Sequence, residues 1–361
     1  MKAAILYEAG KPLVIEEIGI KPPGPREIVI RNVAAGLCHS DLHFIEGVTP
    51  WPMPLVPGHE SAGIVETVGR DVTYVKPGDH VITCLSVFCG VCEMCTSGRP
   101  VLCTSTEVKQ MPGVVDRYTW NRSEKLHQCL NLGSFAEQMV VHENAVVKIR
   151  DDMPLDIAAL IGCGVMTGYG AVVNTARIKA GESVAVIGCG GVGMAGINGA
   201  VIAGAGRIIA VDTSPEKLEL ARKIGATDVV NAKETDPVEA VLALTNGGVQ
   251  HAFEMLGLKQ TVEQAFAMLR PGGTATIVGM MAPGQKVEFH GINFLGERRV
   301  QGSLMGSNRF RTDMPILVDF YIKGKLRLDD WVSAKLKLED INQGFDNMKA
   351  GKGMRSVIVF D

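Results

Sequence analysis

The stretch Ser183-Val-Ala-Val-Ile-Gly188-Cys-Gly-Gly-Val-Gly193 decides the fold of the second half of the chain. Ser183–Ile187 is a nearly continuous apolar run, which is typical of a strand buried in a parallel sheet. The glycines that follow it match G-x-G-x-x-G, and a helix of small residues comes next. In that position the pattern predicts a turn that lets the pyrophosphate of a dinucleotide approach the backbone.

Each glycine of the motif has its own physical task. Gly188 permits the tight turn, Gly190 the close approach of the pyrophosphate, and Gly193 the packing of helix against strand. Between them, Gly191 and Val192 open the helix whose free N–H groups and positive dipole end favour phosphate. The alternative is a merely structural glycine turn.

Asp212 ends the next strand, 19 residues after Gly193. At that spacing its carboxylate is expected to accept hydrogen bonds from the hydroxyls of the adenosine ribose. A 2′-phosphate at the same place would meet like-charge repulsion, so the sequence favours NAD over NADP. If the turn is only structural, Asp212 is a solvated side chain.

Strands and helices alternate outward from this motif, which predicts a doubly wound parallel sheet in an α/β fold. We expect a helix over Pro215–Lys223 closed by Gly225. The further units of the alternation are Arg207–Asp212, Asp228–Asn231, His251–Glu254, Val262–Leu269 and Thr274–Val278.

The first 150 residues read differently, as strands and turns. Ile28–Ala34, Gly63–Val68 and His80–Thr83 are β-rich runs separated by Pro/Gly turn signals. From about Met305 the chain returns to mixed character and ends in the strand Ser356–Phe360. A length of 361 residues fits two domains.

Charge and hydropathy exclude two classes of partner. Lys and Arg total 36 against 39 Asp and Glu, a net charge of −3 without the basic excess of a dedicated nucleic-acid binder. No run approaches the ~20 apolar residues of a spanning helix, and Met1–Gly10 does not resemble a signal peptide. We therefore expect no nucleic-acid or membrane partner and a cytoplasmic protein.

Four cysteines, Cys89, Cys92, Cys95 and Cys103, lie within fifteen residues. Four thiolates at this spacing can surround one ion tetrahedrally, and zinc is favoured by ligand softness and geometry. A zinc with four protein ligands has no open position, so we expect a structural ion. An iron–sulfur cluster and a zinc ribbon that contacts nucleic acid are the alternatives, although the loop carries only Arg99 as a cation.

Three further motifs carry a resemblance to a known family: Gly36-Leu-Cys-His-Ser-Asp-Leu-His43, Gly58-His-Glu60 and Gly162-Cys-Gly-Val-Met-Thr-Gly-Tyr-Gly170. With the cysteine loop, the dinucleotide motif and the terminal Arg355-Ser-Val-Ile-Val-Phe, the chain resembles the zinc-dependent alcohol dehydrogenases of the medium-chain dehydrogenase/reductase family over nearly its whole length. The resemblance implies a mainly β, GroES-like catalytic domain over 1–164 that contains the structural-zinc loop. A Rossmann NAD-binding domain would follow over 165–304, and 305–361 would return to the catalytic domain.

The resemblance also implies a catalytic zinc held by Cys38, His59 and Cys163, giving two zinc ions per chain. Ser40 would take the substrate proton and His43 would pass it to solvent. Asp41 is a candidate to orient His59. Glu60 either lies behind the metal and reaches it, or forms a buried salt bridge.

For the cofactor, the resemblance places Arg355 near the pyrophosphate and Lys217 near the adenosine ribose, and it adds Thr167 and Val278 to the site. Some relatives carry arginine on the pyrophosphate where this chain has His39. A mostly neutral imidazole holds phosphate less strongly, so we expect faster cofactor release.

The expected activity is hydride transfer between NAD and a primary or secondary alcohol, hydrophobic or aromatic, giving an aldehyde or ketone. The alternatives are a thiol-adduct (glutathione-type) formaldehyde dehydrogenase and a non-catalytic, zinc-stabilised dinucleotide-binding protein. Formaldehyde dehydrogenases carry an arginine shortly after the last structural cysteine, whereas this chain has Thr104-Ser-Thr-Glu107.

The segment Thr104–Leu132 resembles the long loop of the dimeric branch of the family, so we expect a homodimer, with a tetramer as the alternative. An alcohol pocket is expected to be hydrophobic, with Leu85 in place of the aromatic ring of many relatives. Its candidate lining residues, which could instead pack the core, are Thr49, Leu85, Val108, Leu130, Met280 and Leu304.

Overall fold

The computed structural model describes residues 1–111 and 116–361. The strands are β1 (Lys2–Ile5), β2 (Val14–Glu17), β3 (Gly19–Ile20), β4 (Glu27–Gly36), β5 (Leu55–Val56), β6 (Ser61–Val68), β7 (His80–Thr83), β8 (Tyr118–Thr119), β9 (His127–Gln128), β10 (Gln138–His142), β11 (Val146–Lys148), β12 (Ser183–Ile187), β13 (Arg207–Asp212), β14 (Asp228–Asn231), β15 (Val249–Glu254), β16 (Leu269–Ile277), β17 (Arg299–Gly302), β18 (Val332–Leu336) and β19 (Arg355–Val359). The α-helices are α1 (His39–Ile45), α2 (Glu93–Thr96), α3 (Leu155–Ala158), α4 (Gly164–Gly170), α5 (Gly191–Ile202), α6 (Pro215–Ile224), α7 (Pro237–Thr245), α8 (Lys259–Ala267), α9 (Phe310–Ile322) and α10 (Ile341–Lys349).

The chain divides into two compact units. Unit 1 comprises Met1–Cys163 and Arg309–Asp361, and unit 2 comprises Gly164–Asn308. The family resemblance predicts these divisions after residues 164 and 304. The second division falls later because Met305 and Ser307 bond within unit 2: Thr167 Oγ1 donates to Met305 Sδ (3.4 Å), and Thr175 Oγ1 lies 2.8 Å from Ser307 Oγ.

Unit 1 is built on a seven-stranded sheet with the order β11-β7-β6-β4-β19-β18, in which β10 also pairs with β4. Strand β4 is central, because it pairs antiparallel with β6, β10 and β19. Its side chains Ile28 and Ile30 are fully buried, as the apolar pattern of this segment predicts. The unit's mainly β character agrees with the expected GroES-like domain.

Unit 2 holds a six-stranded, all-parallel sheet in the order β14-β13-β12-β15-β16-β17. Counted from β12 as strand 1, this is the doubly wound order 3-2-1-4-5-6, whose switch point lies between β12 and β15. Buried Ala185, Ile209 and Ala252 from three neighbouring strands form part of its core. Ligands of such sheets bind at the carboxyl ends of the strands, beside that switch point.

Local sequence signals set the helix ends in unit 2. Helix α6 begins with Pro215 after Ser214, whose side chain accepts a hydrogen bond from the N–H of Lys217, and it ends at Gly225 with φ 128°. Asp236 caps α7 in the same way through Val238 and Glu239.

No single helix in residues 1–111 and 116–361 is long and apolar enough to cross a membrane. The consecutive segments Leu155–Gly162 and Gly164–Ala176 pass that test only when they are taken together, by length and composition.

Candidate functional site

Unit 1 brings together three residues that are far apart in sequence. Cys38 is the N-cap of α1, His59 lies just before β6, and Cys163 follows the short turn Ala159–Gly162. Their Sγ and ring nitrogen atoms lie within 4.8 Å of one another. All three side chains are buried, with His59 fully enclosed.

Asp41 fixes the orientation of His59, the role for which the sequence makes it a candidate. Its Oδ1 lies 2.9 Å from His59 Nδ1 and also accepts the N–H of Gly58 at 3.1 Å. The other ring nitrogen, Nε2, is then directed at Cys163 Sγ, 3.2 Å away. A carboxylate behind a histidine is a common support for a metal-bound imidazole.

The chemistry of this donor set fits zinc, since two sulfurs and one imidazole nitrogen are ligands that zinc prefers. The hydrogen bond with Cys163 and the charge of His59 hold the pKa of the Cys38 thiol well below its usual value. The same hydrogen bond, together with burial, raises the pKa of the Cys163 thiol, so the pair favours a single thiolate on Cys38. Three protein ligands leave the fourth position of a tetrahedral ion for a water or a substrate.

Glu60 and Arg355 form an ion pair inside unit 1, with side-chain exposures of 0% and 7%. Burial alone would lower the pKa of the guanidinium, but the charges of Glu60, Cys38 and Cys163 raise it. Of the two roles expected for Glu60, the structure contains the buried salt bridge. The expected contact of Arg355 with a pyrophosphate stays a prediction.

Helix α1 carries the candidate proton-transfer residues directly after Cys38. Ser40 and His43 are three residues apart, so they share a face of the helix, and both are half-buried. His39 is exposed at the start of the same helix.

The four-cysteine loop also forms a compact cluster. The Sγ atoms of Cys89 and Cys95 lie 3.9 Å apart and those of Cys92 and Cys103 lie 3.8 Å apart. Four thiolates at ~2.3 Å from a tetrahedral zinc would be separated by about 3.8 Å. The loop therefore has the spacing of a closed, structural zinc site.

Backbone N–H groups in this loop donate hydrogen bonds to cysteine sulfurs, which stabilises thiolates there. The N–H groups of Val91 and Cys92 point at Cys89 Sγ (3.4 and 3.2 Å), and the N–H of Cys89 points at Cys103 Sγ (3.3 Å). The bond from Val91 lowers the pKa of Cys89, and the N–H of Cys95 lowers that of Cys92 to about 6. Burial raises the pKa of Cys95 to about 12.

In unit 2, the glycine turn has the geometry that its motif predicts. Gly188 has φ 93°, and a side-chain carbon there would lie 2.7 Å from Leu256 Cγ. A side chain at Gly193 would collide with the carbonyl oxygen of Gly188, so helix α5 packs directly on the turn. By contrast, no described protein atom lies within 4 Å of the place that a side-chain carbon at Gly190 would occupy. A phosphate can therefore approach the backbone at Gly190.

Asp212 is held at the end of β13 by backbone donors. Its Oδ2 accepts the N–H of Cys189 (2.7 Å), and its Oδ1 accepts those of Thr213 and Ser214 (2.7 and 2.9 Å). The sequence motif did not reveal the bond to Cys189, which joins Asp212 to the glycine turn. The carboxylate thus has a fixed position beside the expected ribose site.

The other predicted cofactor residues lie at separate places in unit 2. Gly191 and Val192 form the first turn of α5, and Lys217 is half-buried in the first turn of α6. Thr167 is buried in α4, and Val278 is half-buried directly after β16.

The candidate pocket-lining residues divide into two groups. In unit 1, Val108 is 4% exposed within a core cluster, while Leu85 and Leu130 pack at the margins of core clusters. Of the two roles considered for Val108, lining a pocket or packing the core, its position therefore fits core packing. Thr49 is half-buried, and Met280 and Leu304 of unit 2 are 41% and 53% exposed. Part of the expected loop Thr104–Leu132, residues 112–115, lies outside the described residues.

Comparison with known proteins identifies relatives along the whole chain. The family models "Alcohol dehydrogenase GroES-like domain" and "Zinc-binding dehydrogenase" match residues 24–151 and 191–321. Alcohol dehydrogenase 1 of Pisum sativum is 40% identical over 99% of this chain and 96% of its own length. S-(hydroxymethyl)glutathione dehydrogenase of Synechocystis sp. is also 40% identical, over 99% of both chains.

A solved structure shares the fold at full length. Benzyl alcohol dehydrogenase from Acinetobacter calcoaceticus superimposes with a TM-score of 0.93 at 32% identity, covering 100% of this chain and 99% of that one.

Proposed function

Because the chain belongs to the zinc-dependent alcohol dehydrogenases of the medium-chain dehydrogenase/reductase family, and is therefore an oxidoreductase, we propose that it transfers a hydride between NAD and a hydrophobic primary or secondary alcohol. The product is an aldehyde or a ketone. Aromatic alcohols are included in the proposed substrate class.

The observation that carries this proposal is the buried donor set of Cys38, His59 and Cys163, with Asp41 behind the histidine. These three residues would hold a catalytic zinc. When bound, zinc supplies Lewis acidity that lowers the pKa of an alcohol hydroxyl. Asp41 keeps the proton of His59 on Nδ1 and so leaves Nε2 free to bind.

Ser40 and His43 give the substrate proton a route on the shared face of α1. The Ser40 hydroxyl can accept a proton from the alcohol while it releases its own. His43 then takes the proton and releases it to water, since an imidazole ring has one nitrogen that can accept a proton and one that can donate it. Both side chains are half-buried, which suits groups that connect a closed site with solvent.

The proposed cofactor is NAD, bound by the glycine turn and Asp212. When bound, NAD accepts the hydride at its nicotinamide ring. The fixed carboxylate of Asp212 accepts hydrogen bonds from ribose hydroxyls and repels a 2′-phosphate. Lys217, Thr167, Val278, Arg355 and His39 complete the proposed cofactor-binding set, and two zinc ions per chain complete the cofactors.

An apolar substrate is favoured by Leu85 and Leu130, which are half-buried and aliphatic. The benzyl alcohol dehydrogenase relative acts on an aromatic alcohol by its name. The glutathione-adduct alternative is supported by the Synechocystis relative. Against it, Thr104 and Glu107 are exposed after the last structural cysteine, where an acidic side chain opposes an anionic adduct.

The proposed assembly is a homodimer formed through the edge of the unit 2 sheet. Strand β17 pairs only with β16 among the described strands, so its outer backbone groups can pair with a second chain. Val300, within β17, is 39% exposed, and Ile292 and Leu295, shortly before the strand, are 71% and 81% exposed. Gel filtration coupled to light scattering measures the mass of the protein in solution, and the mass of a monomer would contradict this assembly.

The proposed location is the cytoplasm. All nine cysteines are free thiols, and the metal ligands among them must stay reduced, which suits a reducing compartment.

One experiment tests the proposed activity. Zinc is measured per chain, and absorbance at 340 nm is followed with NAD and alcohols from ethanol to benzylic and terpenoid. Two zinc ions and NADH formation with an apolar alcohol are expected. Turnover of formaldehyde only when glutathione is added would favour the thiol-adduct alternative. One zinc ion and no turnover under any condition would favour a non-catalytic binding protein.

A further inference from the structure

A fully buried carboxylate, Glu254, ends strand β15 at the carboxyl edge of the unit 2 sheet. Its Oε1 accepts three hydrogen bonds: from the N–H of Leu256 (2.9 Å), the N–H of Gly257 (2.8 Å) and the hydroxyl of Thr261 (2.7 Å). No Lys, Arg or His of the described residues forms an ion pair with it. Burying a carboxylate without an ion-pair partner costs folding free energy. We therefore expect Glu254 to have a role that offsets this cost.

The backbone of Glu254 holds a second loop. Its carbonyl oxygen accepts the N–H groups of Val278 and Gly279, at 2.9 and 3.1 Å. Glu254 therefore binds the segment after β15 through its side chain and the segment after β16 through its main chain. One residue joins the ends of two neighbouring strands.

The two segments meet at a pair of glycines. A side-chain carbon at Gly257, where φ is 84°, would collide with Met280 O, and one at Gly279 would collide with Gly257 N. The same carbon at Gly279 would lie 2.6 Å from Glu254 Oε2, an oxygen with no hydrogen-bond partner among the described residues. The junction is thus closely packed, and small shifts of the carboxylate are transmitted to both segments.

The sheet topology assigns this junction to one half of the dinucleotide. A doubly wound sheet consists of two mononucleotide-binding halves on either side of the switch point. Asp212 on β13 marks the adenosine half, so the nicotinamide half faces the ends of β15 and β16. Val278 directly follows β16, and Met280 lies two residues further on.

We infer that Glu254 is a positioning residue for the nicotinamide half of the cofactor site. It acts through the backbones of Leu256, Gly257, Val278 and Gly279, and in the described part of the chain none of its side-chain hydrogen bonds goes to Asp212 or to the glycine turn. This inference rests on the proposed function, because it requires that unit 2 binds NAD.

Glu254→Gln tests the inference while the shape is preserved. The amide oxygen can replace Oε1, but the three bonds lose their charge assistance, and the new NH₂ group faces Gly279 without an acceptor. We expect the Kd of NADH to rise about tenfold. ADP-ribose, which lacks the nicotinamide, should bind within about twofold of wild type. Calorimetric titration of the zinc-loaded protein measures both ligands.

Two further variants complete the design. Thr261→Val removes one donor to Glu254 and should weaken NADH about threefold without affecting ADP-ribose; it serves if Glu254→Gln does not fold. Glu263 lies on the same helix as Thr261 but forms a surface ion pair with Lys259. Glu263→Gln is therefore the control, and it should change the affinity for neither NADH nor ADP-ribose.

The possible results distinguish a failure of the role of Glu254 from a failure of the proposed NAD site. Equal weakening of NADH and ADP-ribose, or no change in either, would overturn the role of Glu254. If the wild-type protein binds neither ligand, the proposed cofactor site itself is wrong, whatever the variants do.

Discussion

Glu60 and Arg355 are 295 positions apart in sequence and form a buried ion pair next to the metal-ligand candidates of unit 1. The charges of Cys38 and Cys163 also raise the pKa of Arg355. The guanidinium therefore compensates several negative groups at once. Without it, Glu60, Cys38 and Cys163 would lose the nearby positive charge of the guanidinium.

Removing Arg355 should consequently be costly. Arg355→Met is expected to lower the free energy of unfolding by about 3–5 kcal/mol, because it removes one partner of a buried ion pair with Glu60. The double variant Arg355→Met/Glu60→Gln should recover part of that loss. Urea denaturation of the zinc-loaded proteins measures all three.

Arg150→Met is the matched control, since Arg150 pairs with Asp152 at the surface. An exposed, solvent-screened pair contributes little to stability. If Arg355→Met costs no more than this control, the compensating role of the buried guanidinium is refuted.

Loss of one cysteine should have different effects in the two candidate zinc sites, on activity in one and on stability in the other. Cys38→Ser is expected to lose one zinc ion and the activity with an intact fold, because Cys38 belongs to a buried three-ligand set. Cys92→Ser should instead lower thermal stability, because it opens a closed loop. Zinc analysis, circular dichroism and turnover compare them. Equal loss of fold in both variants would contradict this division.

Asp212 should control the choice of cofactor. Asp212→Asn removes the negative charge at the expected ribose site, so the ratio of kcat/KM for NAD to that for NADP should fall at least about tenfold. Asp228→Asn is the control, because this carboxylate begins β14 and pairs with Arg207 at the opposite end of the sheet. A similar change in both variants would count against the assignment of Asp212.

Glu27 should contribute to stability in a pH-dependent way. Burial alone would raise its pKa, but Arg117 and the N–H of Gly24 lower it below the ordinary 4.5. Its contribution is therefore present above pH 4.5 and is lost as the pH falls through the lowered value in the folded state. Glu27→Gln should be less stable than wild type at pH 7, and the difference should shrink toward pH 3. Urea midpoints at both pH values test this, and a difference independent of pH would disprove it.

The sequence alone predicted those features that depend on local patterns. Strands β13 and β14 have the predicted bounds, and Gly225 closes α6, because apolar runs, proline and glycine act within a few residues. The Asp41–His59 contact was also predicted, from the resemblance, and is confirmed.

Features that depend on strand register could not be predicted. The partner of Arg355 is set by the pairing of β19 with β4, in which Val357 lies opposite Gly36. No periodicity reveals such a register between distant segments. The burial of Glu254 could not be predicted for a related reason. A single acidic residue at the end of an apolar strand is expected to be exposed to solvent, and only the folded structure shows that neighbouring segments bury it.

The position of β19 has a consequence for how the protein is made. Strand β4 is synthesised before unit 2, but its neighbour β19 emerges only after all of unit 2 has been synthesised, and the last pairing bond joins Phe360 N–H to Val33 O. At translation rates of 5–20 residues per second, unit 2 alone takes roughly 7–30 s. During that interval Ala34–Gly36, the part of β4 that pairs with β19, has no partner on that edge, although β10 can already pair with Glu27–Arg31. Rapid folding of unit 2 would shorten the exposure of these unpaired backbone groups, which can otherwise pair with another chain.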